Sequence, residues 1–134
     1  SHDAVGYNYR MPNVNAAIGL GQLENLEMKL SKKRKLTELY LNAFSELQGV
    51  RIFKEMANAK SNYWLQAMIL DKENSWARDE ILAKCQQCGL FVRPAWTPIH
   101  QLLPFKLFPR MDLDATRVCA KSLINLPSSP SLVT

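Results

Sequence analysis

The chain has 134 residues, 47% of them hydrophobic and 22% charged, with a formal net charge of +5. At about 150 residues per domain that predicts one compact domain with room for a helical arm, and the composition is too apolar for intrinsic disorder. No window reaches the roughly 18 apolar residues of a membrane span. The opening Ser1-His2-Asp3-Ala4 has neither the basic nor the apolar region of a signal peptide, and the odd count of three cysteines fits a reducing cytoplasm.

Residues 1–12 are aromatic-rich and end in Pro12, which reads as an ordered loop with Gly6 where backbone freedom is useful. Asn13 can then cap a helix by accepting from its unpaired first amides. Apolar residues recur at helical spacing through Val14, Ala17, Ile18, Leu20, Leu23, Leu26 and Leu30, and again through Leu36, Leu39, Tyr40, Ala43, Phe44 and Leu47. This predicts either one long helix with a polar middle turn or two helices with a bend near residues 28–31. Gly49 stops the second run.

Gly19 and Gly21, inside the first run, each cost about 1 kcal/mol relative to Ala and suggest close packing against another backbone. Gly-Leu-Gly is not a dinucleotide fingerprint, because no strand precedes it and the third glycine is missing. The first half of the arm is apolar on more than one face and calls for a partner surface outside this chain. With no initiator Met, the chain is expected to be a piece of a larger protein.

Lys29, Lys32, Lys33, Arg34 and Lys35 place five cations within seven residues, and the other twelve basic residues balance the twelve acidic ones. A local cluster of this kind reads as a solvated helix surface, with nucleic-acid or phosphate binding as the alternative. Glu24, Glu27 and Glu38 lie close by and no aromatic residue interleaves the cluster, so no nucleic-acid partner is expected.

Beyond the arm, residues 50–53 and 63–70 read as strands and Ser75 as the cap of a helix running to Gly89. Residues 90–93 read as a third strand ended by Pro94. Prolines between 96 and 109 leave a loop with room for one short helix, and a helix over 113–122 and an extended piece over 123–126 close the chain. The predicted class is α+β: a loop and helical arm over 1–48, then a small sandwich with a mostly antiparallel sheet over 49–134.

Few constellations carry chemistry. Cys85 and Cys88 form a Cys-x-x-Cys pair, but redox pairs start a helix and this one closes one. A structural zinc would have only His2, His100 and Cys119 as further ligands, at no recognised spacing, so no metal is expected. Hydrolase and phosphate-loop motifs are absent. The prolines of Arg93-Pro94-Ala95-Trp96-Thr97-Pro98-Ile99-His100 stiffen a segment bearing a cation, an indole and an imidazole, as ligand-binding loops do. His100 by itself reads more readily as an ordinary surface or core histidine. In the opening loop, Asn8 and Arg10 offer amide and guanidinium donors between Tyr7 and Tyr9, a set suited to a phosphorylated or nucleotide-like ligand. A loop that merely staples the start of a helix is the other reading.

The segment Gly6-Tyr7-Asn8-Tyr9-Arg10-Met11-Pro12, followed by Ala16-Ala17-Ile18-Gly19 and Gln22-Leu23, resembles the stretch opening the C-terminal part of the DegT/DnrJ/EryC1/StrS sugar aminotransferases. Lys33-Arg34 with Tyr40, the Pro-x-His of Pro98 to His100, and Asn125-Leu126-Pro127 with Ser128 resemble later family motifs in the same order. The resemblance implies the C-terminal domain of a fold-type I enzyme that uses pyridoxal 5'-phosphate. Such an enzyme moves an amino group, commonly from glutamate, onto a keto sugar carried by a nucleotide diphosphate, in surface-polysaccharide or nonulosonic-acid synthesis.

It further implies a cytoplasmic homodimer in which Asn8 reaches the cofactor phosphate of the partner subunit. Tyr7, Tyr9 and Arg10 would line the entrance for the nucleotide sugar, and Trp96 and His100 would border the sugar. The family's Schiff-base lysine and pyridinium-facing aspartate precede the first of these motifs, so no catalytic residue is assigned within this chain, which alone is expected to be inactive. The rival reading is a non-catalytic interaction or regulatory module of the same fold.

Overall fold

A computed structural model describes residues 10–134, so the loop carrying Gly6, Tyr7, Asn8 and Tyr9 lies outside the described residues. Helix α1 spans Asn13–Leu23 and α2 spans Leu26–Ala43. Asn13 is the first residue of α1 rather than its cap: Pro12 sits at the cap position in extended conformation, and its carbonyl accepts from Ala16 N at 3.0 Å.

The arm is two helices, and the break falls at Glu24 and Asn25, ahead of residues 28–31. Asn25 explains the shift. Its side-chain amide donates back to Gly21 O at 3.4 Å while its own carbonyl starts α2 by accepting from Lys29 N at 3.1 Å, the local competition with helix that Asn offers. Lysine and arginine are good helix formers, so the basic cluster continues as helix.

Four strands form one antiparallel sheet in the order β1 (Val50–Ile52), β2 (Gln66–Leu70), β4 (Leu123–Leu126), β3 (Arg93–Pro94). The closing piece of the chain is thus an inner strand, with Met68 and Pro94 both opposite Ile124 in register. Ile52, Met68, Leu70 and the fully buried Ile124 make the core, which Tyr40 and Leu41 of α2 and Phe44 just past its end cover together with Ile81 and Leu82. None of the residues of α1 is buried, and Val14, Ile18, Leu20 and Leu23 are each about two-thirds exposed.

Several boundaries differ from expectation for local reasons. β2 starts at Gln66 because Ser61 Oγ and Asn62 Oδ1 capture the amides of Tyr63 and Trp64, each at 3.0 Å, and Tyr63 enters the left-handed region at φ +45°. Ser75 does not cap α3 (Arg78–Gln87). It lies in a 3₁₀ turn, Lys72–Ala77, and donates to Lys72 O at 2.9 Å.

The third strand begins late because α3 ends in a Schellman motif that occupies Leu90: Gly89, at φ +74°, donates to Gln86 O and Leu90 N to Cys85 O at 2.8 Å. Pro94 is the last residue of β3, paired opposite Ile124, where an edge strand tolerates its missing donor. Short 3₁₀ turns, Ile99–Gln101 and Leu103–Phe105, fill the proline-rich stretch before α4 (Asp114–Ser122).

Candidate functional site

β3 and the end of β4 lie side by side, and the segments leaving them form the walls of a groove of about 590 Å³. Arg93, Trp96 and Thr97 line the β3 side, with Asn125, Pro127 and Ser128 on the β4 side, and Phe91 also contributes to the lining. The position of the segment follows from pairing: Ala95 N still donates to Leu123 O at 3.4 Å, and Asn125 Nδ2 donates to Pro94 O at 3.2 Å. Among the described residues no carboxylate and no lysine line the groove, and Arg93 carries no ion pair. The Arg93 guanidinium, the exposed Trp96 indole and the Thr97 hydroxyl can meet a ligand there.

Trp96 is stacked on Trp64, with ring centroids 5.9 Å apart and planes inclined by 18°. Trp64 reaches this position from the turn before β2. Of the residues singled out in the sequence, Trp96 therefore joins the groove. His100 is half-buried in the following 3₁₀ turn and does not line the groove, and Arg10 is exposed just ahead of α1. Tyr7, Asn8 and Tyr9 lie outside the described residues.

A polar lock ties α2 to the Pro127–Ser128 wall of the groove and to the turn that carries Trp64. Gln66, fully buried, accepts from Thr37 Oγ1 at 3.0 Å and donates through Nε2 to Lys33 O at 3.2 Å. Its backbone amide donates to Ser128 Oγ, which in turn donates to Leu126 O, both at 2.7 Å. Tyr40 OH donates to Pro127 O at 3.0 Å, and partial burial raises its pKa. Lys33 Nζ donates to Ser128 O at 2.7 Å, Trp64 O at 3.0 Å and Tyr63 O at 3.4 Å; burial lowers its pKa. Buried polar groups are tolerated when fully hydrogen-bonded, and among the described residues none is left without a partner.

The basic cluster is therefore not simply a solvated face. Besides Lys33, Arg34 makes a two-pronged ion pair with Glu55 at 2.7 and 3.1 Å, donates to Ser61 O at 2.6 Å and lies 5.4 Å over the Tyr63 ring. Glu55 also accepts from Ser61 N. The guanidinium, first, and the Ser61 amide hold the Glu55 carboxyl down to a pKa of about 2. Lys29 donates to Gln22 and Lys35 to Thr134 O.

Sequence reading did not single out Trp64, Glu55, Gln66 or the tethering role of Lys33. Ser61-Asn62 is a turn signal that places Trp64 outside the strand. The contacts of Lys33, 30 to 95 residues away along the chain, leave no local trace.

Cys85 lies within α3 and Cys88 at its C-terminal end; both thiols are free. Among the described residues no three potential ligands gather to hold a metal, and no helix is long and apolar enough to cross a membrane. Pyridoxal phosphate needs a lysine for its imine, a carboxylate for its ring nitrogen and donors for its phosphate. The groove supplies neither lysine nor carboxylate, and the Nζ of Lys33 is committed to three carbonyls. The described residues thus do not make a site for that group.

The model of the DegT/DnrJ/EryC1/StrS aminotransferase family matches residues 1–134. The GDP-perosamine synthase of Vibrio cholerae is 36% identical over 134 residues, covering 98% of this chain and 36% of the relative. Helicobacter pylori PseC, an aminotransferase involved in the biosynthesis of pseudoaminic acid, shares the fold with a TM-score of 0.82 at 21% identity over 97% of this chain and 35% of its own. A GDP-4-keto-6-deoxy-D-mannose-3-dehydratase of E. coli, solved with bound hydrated PLP, shares it at 0.78 and 22% identity, over 93% of this chain and 33% of its own. The chain spans between a quarter and just over a third of the length of the curated relatives it matches.

Proposed function

This chain belongs to the DegT/DnrJ/EryC1/StrS aminotransferase family, and from that premise we propose that it is the C-terminal part of an enzyme that converts a nucleotide-linked keto sugar to an amino sugar. The observation that carries the reading is the groove beside β3. Among the described residues it joins a guanidinium without an ion pair to a flat indole and to amide and hydroxyl groups, with no acidic residue to repel a diphosphate. Arginine suits phosphate, and an indole suits the apolar face of a sugar. In this reading Trp96 meets the sugar and His100 borders it, while Tyr7, Tyr9 and Arg10 line the approach.

Pyridoxal phosphate is the proposed cofactor and glutamate the proposed amino donor. The Schiff-base lysine belongs to a part of the enzyme outside this chain. Asn8 is assigned to the cofactor phosphate of the partner subunit, which makes the active unit a homodimer. The enzyme works in the cytoplasm, in the supply of amino sugars for surface polysaccharide or nonulosonic acids. The chain is organised as a loop and arm, 1–48, that reaches the partner and a small domain, 49–134, that carries the groove.

The test is borohydride reduction of the full-length protein followed by peptide mapping. A reduced cofactor adduct on a lysine outside these 134 residues is expected. An adduct on a lysine of this chain would contradict the assignment, and a protein with no cofactor chromophore would favour the non-catalytic module instead.

A further inference from the structure

Trp64 and Trp96 are 65% and 69% exposed, so burial does not hold their stack in place. What fixes Trp64 is its backbone: the amide donates to Asn62 Oδ1 at 3.0 Å and the carbonyl accepts from Lys33 Nζ at 3.0 Å. The same ammonium holds Ser128 O at 2.7 Å on the opposite wall of the groove and Tyr63 O at 3.4 Å, next to a backbone at φ +45° that a non-glycine residue adopts only when its surroundings impose it. An ammonium has three donors and here three carbonyl acceptors, so its transfer from water is compensated.

The geometry points to Lys33 as a positioning residue for ligand binding: by joining Ser128 to Trp64 it fixes the groove's far wall relative to the indole that backs Trp96. Lys33 touches no ligand in this arrangement. It acts through Trp64, which supports Trp96 by ring stacking, and through Ser128. A lysine whose only role was to stabilise the fold would change unfolding without changing the indole pair or the Michaelis constant. The kinetic part of this inference rests on the nucleotide-sugar reading above; the spectroscopic part does not.

Two stacked indoles couple their excited states, and the coupling appears as a paired positive and negative band in circular dichroism. In the full-length protein, the difference spectrum between parent and Trp64→Phe isolates that signal from every other tryptophan. Lys33→Met should remove it, so that adding Trp64→Phe in the Lys33→Met background changes the spectrum no further.

Both single variants should raise KM for the nucleotide sugar between about twofold and about tenfold, the scale of one lost stacking contact. The loss should fall on KM more than on kcat, and the double variant should be no worse than either. A couplet that survives Lys33→Met overturns the inference, as does a lost couplet with unchanged KM.

If Lys33→Met gives no folded protein, Lys33→Gln, whose amide still donates to two carbonyls, should show both effects in smaller measure. Failure of both to fold also overturns the inference, because Lys33 would then be a fold determinant. If the parent turns over no nucleotide sugar, the functional reading fails separately, and the couplet alone decides whether Lys33 sets the indole pair.

Discussion

Arg34 grips Glu55 with two parallel contacts of 2.7 and 3.1 Å, which closes the turn between β1 and β2 from the side of α2. Glu55 has a folded-state pKa of about 2, below its ordinary 4.5, chiefly through the Arg34 hydrogen bond. A depressed carboxyl stabilises the fold above its unfolded pKa and loses that contribution as pH falls through the folded one. The stability gap between the parent and Glu55→Gln should therefore be constant above about pH 5 and shrink as pH falls from about 4.5 toward 2. Urea unfolding midpoints along that series check it; a gap unchanged at the acid end would show that the pair contributes nothing.

His100→Ala in the full-length enzyme should raise KM for the sugar or lower kcat by about twofold to about tenfold, the scale of one hydrogen bond, and leave the cofactor absorbance intact. The imidazole sits in the turn Ile99–Gln101, a few residues beyond Trp96 and far along the sequence from the opening loop to which cofactor contact is assigned. Loss of bound cofactor on this substitution would contradict the assignment.

Replacing Cys85 and Cys88 together with Ser should leave turnover intact and cost about 1 kcal/mol of stability. Cys85 is half-buried in α3 and Cys88 is exposed at its end, and no third ligand lies with them among the described residues. Stoichiometric zinc in the purified protein, lost in the double variant, would be the opposite result.

The fold class and the segment that carries Trp96 were legible in the sequence; the residues behind the groove were not. The closing strand and the α+β class follow from short-range patterns such as Leu123–Leu126. The Arg93 to His100 segment stands out because prolines bracket its aromatic and basic residues. The break at Asn25 was missed because apolar spacing runs straight through it, while the deciding bond is one side-chain amide to Gly21 O. Ser75 satisfies the rule for a cap, yet the chain enters a 3₁₀ turn first. The misreading of Lys33 and Arg34 as solvated has a different origin: their acceptors at Ser128, Glu55 and Ser61 come from strand ends and turns that only tertiary packing brings to α2.

Asn8 is expected to act across a subunit seam, since α1, which follows its loop, leaves Val14, Ile18, Leu20 and Leu23 exposed. An amide donating to an ionised phosphate contributes about 1.5–3 kcal/mol. Mixing full-length Asn8→Ala subunits with subunits lacking the Schiff-base lysine puts both lesions in one site of the heterodimer and leaves the other site intact. Activity should return on mixing. If subunits exchange freely and no activity returns, Asn8 works within its own subunit.

Amino transfer itself is the most direct measurement. The full-length protein is incubated with glutamate carrying heavy nitrogen and with a panel of nucleotide-linked keto sugars, and the nucleotide sugars are weighed by mass spectrometry. One of them should gain the labelled amino group, with glutamate converted to its keto acid in equal amount, and Trp96→Ala should slow that conversion. Labelled amine appearing on no sugar while the cofactor is bound, or a sugar that loses water instead of gaining nitrogen, would contradict the assignment.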